Sequence, residues 1–555
     1  MKRKLLILIS FIYTLSVSAD NISQKWFFSS ITSNNTNKSD FSSNDYLLID
    51  SNNTFEYQIT SLGVFAKGRW ERKNNQISFY YDLPKDTTRE YLISSVKNTL
   101  TLTENNTDYC FSKEPSISKT MNSSTWLNNL FRGLIGLISL VFFAYLFSRN
   151  RKAINWNLVV KGLVIQLLLA ILILKVPVVQ NIFEWMSSVF VIVLQFSKQG
   201  ALFLFGDTLV NSNQFGAIFA FQILPTIIFF SALTSLLFYF GVLQKIVFAF
   251  AYLMKKTLKL SGAESLSAAG NVFLGQTESP LLIKPYIDKM TMSELLCLMS
   301  GGMATIAGGV LAAYIGFLGG PDPAQQLFFA KHLLAASVMS APAAIVIAKI
   351  LLPETEKINE DMSISNATLG CNSLEAISIG TGQGLRLAIN VGAMLLVFIA
   401  FITMGNYFLK DFIGNITGIN SWILSFTNGQ YDGLTLEFIL GYTLAPITWL
   451  MGVCKEDMIL VGQLLGEKTI LNEFVAYISL AELKNSGQFI EEKSIIISTY
   501  ILCGFANFAS IGIQIGGIGS LAPNRKSDLS KLGILALIAG TLASLLTAVM
   551  VGAII

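Results

Sequence analysis

The sequence predicts an all-α polytopic membrane protein with eight spans, two re-entrant hairpins and two broken helices in an inverted repeat, preceded by a small all-β, lipocalin-like exported domain. Three observations carry this. First, 52% of the 555 residues are hydrophobic and only 13% are charged, about half the charged share of a soluble domain. Second, apolar stretches far apart in the chain, Gly270–Tyr314 and then Gly462–Leu480 with Cys503–Gly519, carry carboxylates or amides and are broken by glycine or proline. Third, residues 20–125 are rich in Asn, Ser and Thr and alternate polar with apolar residues in short runs.

The ends of the chain set its direction. Lys2, Arg3 and Lys4, the apolar run Leu5–Val17 and the small residues Val17-Ser18-Ala19 form a secretory signal over 1–19, or alternatively an uncleaved anchor. The segment from 20 to 125 is therefore exported. Within it, DYLLIDS, TFEYQI, QISFYYDL, EYLISSV and TLTLTEN read as strands bounded by Asn-rich turns, with Gly68-Arg69-Trp70-Glu71 between two of them. This domain reads as a spacer or stabilising element in preference to a ligand-capture domain. Cys110 is its one cysteine, so it holds no internal disulfide.

Residues 126–260 read as scaffold. Trp126–Phe147 spans first, and the basic cluster Arg149, Arg151 and Lys152 after it marks a cytoplasmic loop. Leu158–Leu174 is the second span, 178–213 is mixed and external or partly embedded, and Gln214–Phe240 holds the third span with Pro225 in it. Lys245–Leu260 is amphipathic and suits a helix lying at the cytoplasmic face. Residues 261–352 form a first transport repeat: a hairpin over 263–286 with its tip at 275–277, a broken helix over 293–315 and a return span over 327–352. Residues 353–433 hold a polar loop, the span Ala388–Phe408 and a polar external segment from 410 to 431. Residues 434–555 form the second repeat: a kinked apolar element over 434–453, a hairpin over 460–480, a broken helix over 495–519 and a last span over 532–555.

Carboxylates at membrane depth cost roughly 2.5–3.5 kcal/mol on insertion scales and mark substrate or ion paths. Glu278, with Gln276 and Thr277 beside it, and Glu473 are such groups. Irregular backbone in a bilayer survives only when buried in protein or lining a cavity, and paired interruptions in two halves of a chain point to a binding site at a repeat interface. The single His332 argues against a histidine-based metal or catalytic site and reads as a packing or interfacial residue. A net charge of +4 argues against a nucleic-acid partner.

GQTESPLL at 275–282, the run Gly466, Lys468, Asn472, Glu473, Phe474, Val475, Ala476, Tyr477, and GFANFASI at 504–511 resemble the concentrative nucleoside transporter family. The resemblance covers about 127–555. It implies a homotrimer in the lipid bilayer, placed here in a bacterial inner membrane with the N-terminal domain outside, that takes up nucleosides of the uridine, cytidine and adenosine class with sodium as coupling ion and no other cofactor. It implies that Gln276, Thr277 and Glu278 face the base, Glu278 directly or through water, with Val310 and Phe505 giving apolar contact. Glu473, Asn507 and Ser510 would grip the ribose, and sodium would lie between the side chains of Asn271 and Thr305 and the carbonyls of Leu274 and Ile306. Proton coupling through Glu278 and an intramembrane enzyme using Glu278 and Glu473 as acid and base are the alternatives.

Overall fold

In a computed structural model of the chain, residues 25–112 are described except for 34–35, 39–45, 51, 60–63, 74–75, 84–86, 97–98 and 105–106, and residues 123–555 except for 211–217, 321, 360, 363–369 and 428. The signal segment expected at 1–19 lies outside these residues. The chain divides into two compact units, one up to Thr125 and one from Trp126 onward.

The first unit is a closed antiparallel barrel. Its strands are β1 (Lys25–Ser33), β2 (Thr36–Lys38), β3 (Tyr46–Ile49), β4 (Thr54–Ile59), β5 (Val64–Lys73), β6 (Gln76–Leu83), β7 (Thr87–Val96), β8 (Thr99–Glu104) and β9 (Thr107–Ser112). Neighbours in sequence pair from β3 to β9. β1 pairs with both β3 and β9, which closes the sheet, and the short β2 extends β1. The alternation of the sequence points Trp26, Leu47, Ile49, Phe55, Ile77, Phe79, Leu100 and Phe111 inward. Gly68–Glu71, expected between strands, instead lies inside β5. A bulge between Lys67 and Gly68 absorbs the glycine, and a Cβ at Gly68 would collide with the Tyr80 carbonyl. Trp70 donates from its ring nitrogen to the Asp50 carbonyl at 3.0 Å.

The second unit is helical. Among the described residues, eight helices are long and apolar enough to cross a membrane. That number matches the expectation, but the members differ. The segment expected to be mixed is one helix of 29 residues, α3 (Pro177–Phe205), after α1 (Ser123–Leu146) and α2 (Trp156–Lys175). Its polar residues mask the signal, because Ser187 and Ser197 share one buried face with Val191, Leu194 and Ala201 at helical spacing. The second broken helix is not among the eight: residues 503–507 separate its halves of 11 and 14 residues, a longer interruption than 305–307 in the first. Next come α4 (Leu224–Tyr239) and the amphipathic α5 (Val242–Leu258), which ends at Lys259 in the left-handed conformation.

The rest of the unit repeats one order of elements. The first copy is α6 (Gly262–Asn271), the short turns Ser279–Leu282 and Lys284–Ile287, the half-helices α7 (Met292–Ala304) and α8 (Gly308–Gly319), and α9 (Pro323–Leu351). Then α10 (Ser373–Asn406) and α11 (Leu436–Leu450) intervene. The second copy is α12 (Met458–Ile470), α13 (Glu473–Asn485), the half-helices α14 (Glu492–Leu502) and α15 (Phe508–Leu521), and α16 (Lys526–Ile554). Both copies end in a helix of 29 residues. α10 starts well before the span expected at 388, and most of 410–431, expected as a polar external segment, is helical as far as Phe426.

Local chemistry sets the element starts. Ser261 with Glu264 and Thr291 with Glu294 form capping boxes on α6 and α7. Pro280 and Pro285 open the two short turns after the first hairpin tip, where a missing N–H costs nothing. Ser279 Oγ donates to the Ser267 carbonyl at 3.1 Å and holds the two arms together. Lys349 near the end of α9 pairs with Glu264 at 2.5 Å and reaches Ser293 Oγ at 2.9 Å, locking the first copy's helix starts to its last helix. His332 is buried and its Nδ1 lies 3.1 Å from the Tyr500 hydroxyl, a packing role inside the bundle.

The two breaks meet. Residues 305–307 run extended between α7 and α8, and Gly504, at φ +102°, sits between α14 and α15. A Cβ on Gly504 would lie 2.6 Å from the Met303 oxygen and 2.7 Å from the Ala304 carbonyl. Overpacking of this kind costs about 1–3 kcal/mol, and a left-handed non-glycine residue adds strain of similar order. Gly504→Ala is therefore expected to lower the melting temperature of the purified protein by several degrees or to abolish its folding. A melting curve superimposed on that of the parent chain would contradict the close crossing.

Candidate functional site

A cavity of about 830 Å³ opens where the two copies meet. The first hairpin contributes its tip, Gly275 to Glu278, and the first broken helix contributes Ala307 and Val310. The second hairpin contributes Asn472, Glu473 and Phe474, and the second broken helix contributes Phe505, Asn507 and Ser510. All eight residues expected to face a nucleoside, Gln276, Thr277, Glu278, Val310, Glu473, Phe505, Asn507 and Ser510, line this one space. The acidic residues of the two copies therefore border the same cavity from opposite hairpins.

Helix starts position the polar groups. Asn507 caps α15 by accepting from the Ser510 amide at 2.9 Å, so the two are joined as cap and first turn. Its Nδ2 then donates to Glu473 Oε2 at 2.6 Å. Asn472 caps α13 in the same manner through the Val475 amide at 3.0 Å, which fixes Glu473 in the first turn, where the helix dipole favours a carboxylate. Gln276 Nε2 reaches Ser510 Oγ at 3.3 Å and so links the first hairpin to the second broken helix. One oxygen each of Gln276 and Glu278 is buried without an internal hydrogen-bond partner. Gly275 makes room for the Glu278 carboxylate, which lies where a Cβ would be. Buried acceptors left open in this way are suited to a ligand that brings hydroxyl or N–H donors.

The residues expected to hold sodium lie behind the first hairpin tip. Asn271 ends α6, Leu274 comes next in the turn, and Thr305 and Ile306 begin the break after α7; all four are buried. The Gly308 amide donates to the Phe273 carbonyl at 3.3 Å, which ties the tip to the break. Thr305 Oγ1 donates to the Gly301 carbonyl at 2.8 Å and keeps its lone pairs free. The Asn271 side chain packs against Gly301, and neither its oxygen nor its nitrogen has a hydrogen-bond partner. A buried amide without partners, beside unwound carbonyls at a helix C-terminus, is a donor set that fits a hard monovalent cation.

A fifth contributor to the lining is not foretold by the sequence reading. α10, expected only as a span over 388–408, lends Leu387, Asn390, Val391 and Met394 to the cavity. Their 3–4 spacing on one face and an asparagine inside an apolar span are the signals present.

Three family models match the chain: "Na+ dependent nucleoside transporter N-terminus" over 135–208, "Nucleoside recognition" over 220–321 and "Na+ dependent nucleoside transporter C-terminus" over 332–552. An uncharacterized transporter of Haemophilus influenzae is 40% identical, over 76% of this chain and 96% of its own length. Sodium/nucleoside cotransporter 1 of Rattus norvegicus is 39% identical, over 74% of this chain and 62% of its own length, so the chain spans less than two thirds of that larger relative. A solved structure of CNTnw in an inward-facing substrate-bound state aligns with a TM-score of 0.68 and 38% identity, covering 76% of this chain and 98% of that one. The family transports nucleosides and is not an enzyme family, which sets aside acid–base catalysis by Glu278 and Glu473. With its family models, its relatives and a cavity built from two repeated halves in agreement, the chain belongs to the concentrative nucleoside transporter family.

Proposed function

We propose that the chain carries nucleosides into the cell together with sodium, by alternating access of a unit made from the two hairpins and two broken helices. The observation that supports this most is the convergence of Glu278 and Glu473, one from each copy, on a single cavity with open acceptor atoms. A nucleoside offers amide-like base edges, flat apolar faces and vicinal hydroxyls. Gln276, Thr277 and Glu278 suit the base edge, and Val310 and Phe505 suit its faces. Glu473, already held by Asn507, keeps acceptor capacity for ribose hydroxyls, and Ser510 stands beside them.

The coupling ion in this reading is one sodium, held by the side chains of Asn271 and Thr305 and the carbonyls of Leu274 and Ile306. At about 100 mV one inward sodium contributes about 2.3 kcal/mol. A tenfold sodium gradient adds about 1.4 kcal/mol, and the sum supports accumulation on the order of several hundredfold. The chain would sit in a bacterial inner membrane as a homotrimer, each hairpin dipping into the bilayer from its own side. The barrel would stand outside as a lipocalin-like spacer.

Reconstituted vesicles test the reading. An imposed sodium gradient should drive labelled uridine above equilibrium, and a proton gradient alone should not. Uptake that stops at equilibration, or that tracks protons irrespective of sodium, overturns it. Loss of a hydrogen bond to a charged group costs about 1.5–3 kcal/mol, so Glu473→Gln should lower uptake at least about tenfold. Unaltered uptake by that variant would remove Glu473 from the site. Asn271→Ala should raise the sodium concentration for half-maximal uptake by about tenfold or more. An unchanged sodium dependence with altered nucleoside affinity would move the ion elsewhere.

A further inference from the structure

Lys468 is a buried cation that the transport reading leaves unused. It lies two residues before the end of α12 and is wholly enclosed. Its ammonium donates to the Ile501 carbonyl at 3.0 Å, the Cys503 carbonyl at 3.2 Å and Ser544 Oγ at 3.3 Å. All three partners are neutral oxygens. Two are main-chain carbonyls that flank Leu502, the last residue of α14, so the ammonium sits at the negative end of a half-helix where the chain unwinds. Ser544 Oγ itself donates to the Cys503 carbonyl at 2.7 Å, which orients its lone pairs toward the lysine.

The repeated order of elements gives this position a partner in the first copy. Asn271 ends α6 as Lys468 nears the end of α12, and Thr305 and Ile306 come after α7 as Cys503 comes after α14. Both places offer main-chain carbonyls where a helix ends and the chain unwinds, and a hydroxyl. In the first copy the side chain from the hairpin is an amide with neither polar atom partnered. In the second it is an ammonium with three acceptors. One break is open to an exchangeable cation; the other already contains one, attached to the chain.

We propose that Lys468 is a tethered counterpart of the coupling ion: its ammonium fills, in the second copy, the carbonyl-lined break that receives sodium in the first, and so fixes the carried charge at one sodium per nucleoside. The proposal rests on the sodium-coupled reading above. Burying an ammonium is costly and is offset only by well-placed acceptors, and removing the lysine leaves those acceptors bare. A variant that opens the space should then draw in a second sodium.

The test uses the full chain. Dual-isotope counting of sodium and uridine in vesicles should give one sodium per uridine for the parent. Lys468→Ala should need about tenfold more sodium for half-maximal uptake, with the dependence rising from first toward second order. Melting curves of the purified proteins read the same site without nucleoside, with choline chloride holding ionic strength constant. The Lys468→Ala melting temperature should keep climbing at sodium concentrations where the parent has levelled off. Folding of the variant recovered only at high sodium also supports the proposal. Two sodium ions per uridine in the parent, a first-order sodium dependence with an unchanged midpoint in Lys468→Ala, or a variant that no sodium concentration stabilises overturns it. A parent chain without sodium-driven uptake defeats the transport reading instead, and the melting comparison still decides the role of Lys468.

Discussion

The approach of the two helix breaks to one another is the constraint on which the rest of the helical unit depends. Each break exposes carbonyls and amides that a bilayer leaves unsatisfied, so each must be enclosed by protein. The contact of Gly504 with the Met303–Ala304 backbone does this for both at once, because it brings the two interruptions to a common centre. Two long helices then enclose that centre, α9 and α16, both buried along most of their length inside the unit. By comparison, α1 to α3 and α10 bury only a minority of their residues and leave most of their surface to lipid or to other protein. The division between an interior of repeated elements and a periphery of long apolar helices arises from where the polar backbone has to be hidden.

The site inherits its order from the same arrangement. Asn472 and Asn507 cap α13 and α15, and both caps aim polar atoms into the cavity as a by-product of satisfying backbone amides. The Glu473–Asn507 hydrogen bond is thus anchored at each end by a capped helix, and Glu473 needs no flexible arm to find its place. Gln276 does the equivalent service between copies by reaching Ser510. The residues that carry the resemblance to sodium-dependent nucleoside transporters therefore do two jobs, holding the helix starts in place and bordering the cavity.

Much of this is legible in the sequence, and the parts that are not have physical reasons. Intramembrane carboxylates flanked by glycine and proline are costly enough to be conspicuous, so Glu278, Glu473 and the broken helices stand out. The barrel strands are visible because alternation has a period of two, but Gly68 has the look of a turn when it is a bulge, a position where glycine is needed without the strand ending. α3 is hidden because its serines and glutamines lower the local hydropathy while lying partly on its buried face. The contribution of α10 is hidden for the opposite reason: its cavity face is almost entirely apolar and looks the same as a lipid-facing or packing face in one dimension. Lys468 shows only as part of a motif, since its carbonyl partners lie more than thirty residues away, one in the last turn of α14 and one in the break after it.

The composition of the α10 wall has a mechanical consequence. Leu387, Val391 and Met394 present a greasy surface on which Asn390 is the main polar point, whereas the hairpins and broken helices supply nearly all the hydrogen-bonding groups. A guest held on both sides would be torn between them whenever the hairpins slid along that helix, and each broken bond would add to the activation barrier. In the proposed alternating-access reading, polarity gathered on one side would let cargo and carriage travel as a single body against a low-friction rail, with the barrier set by shape and by the loss and recovery of dispersion contacts.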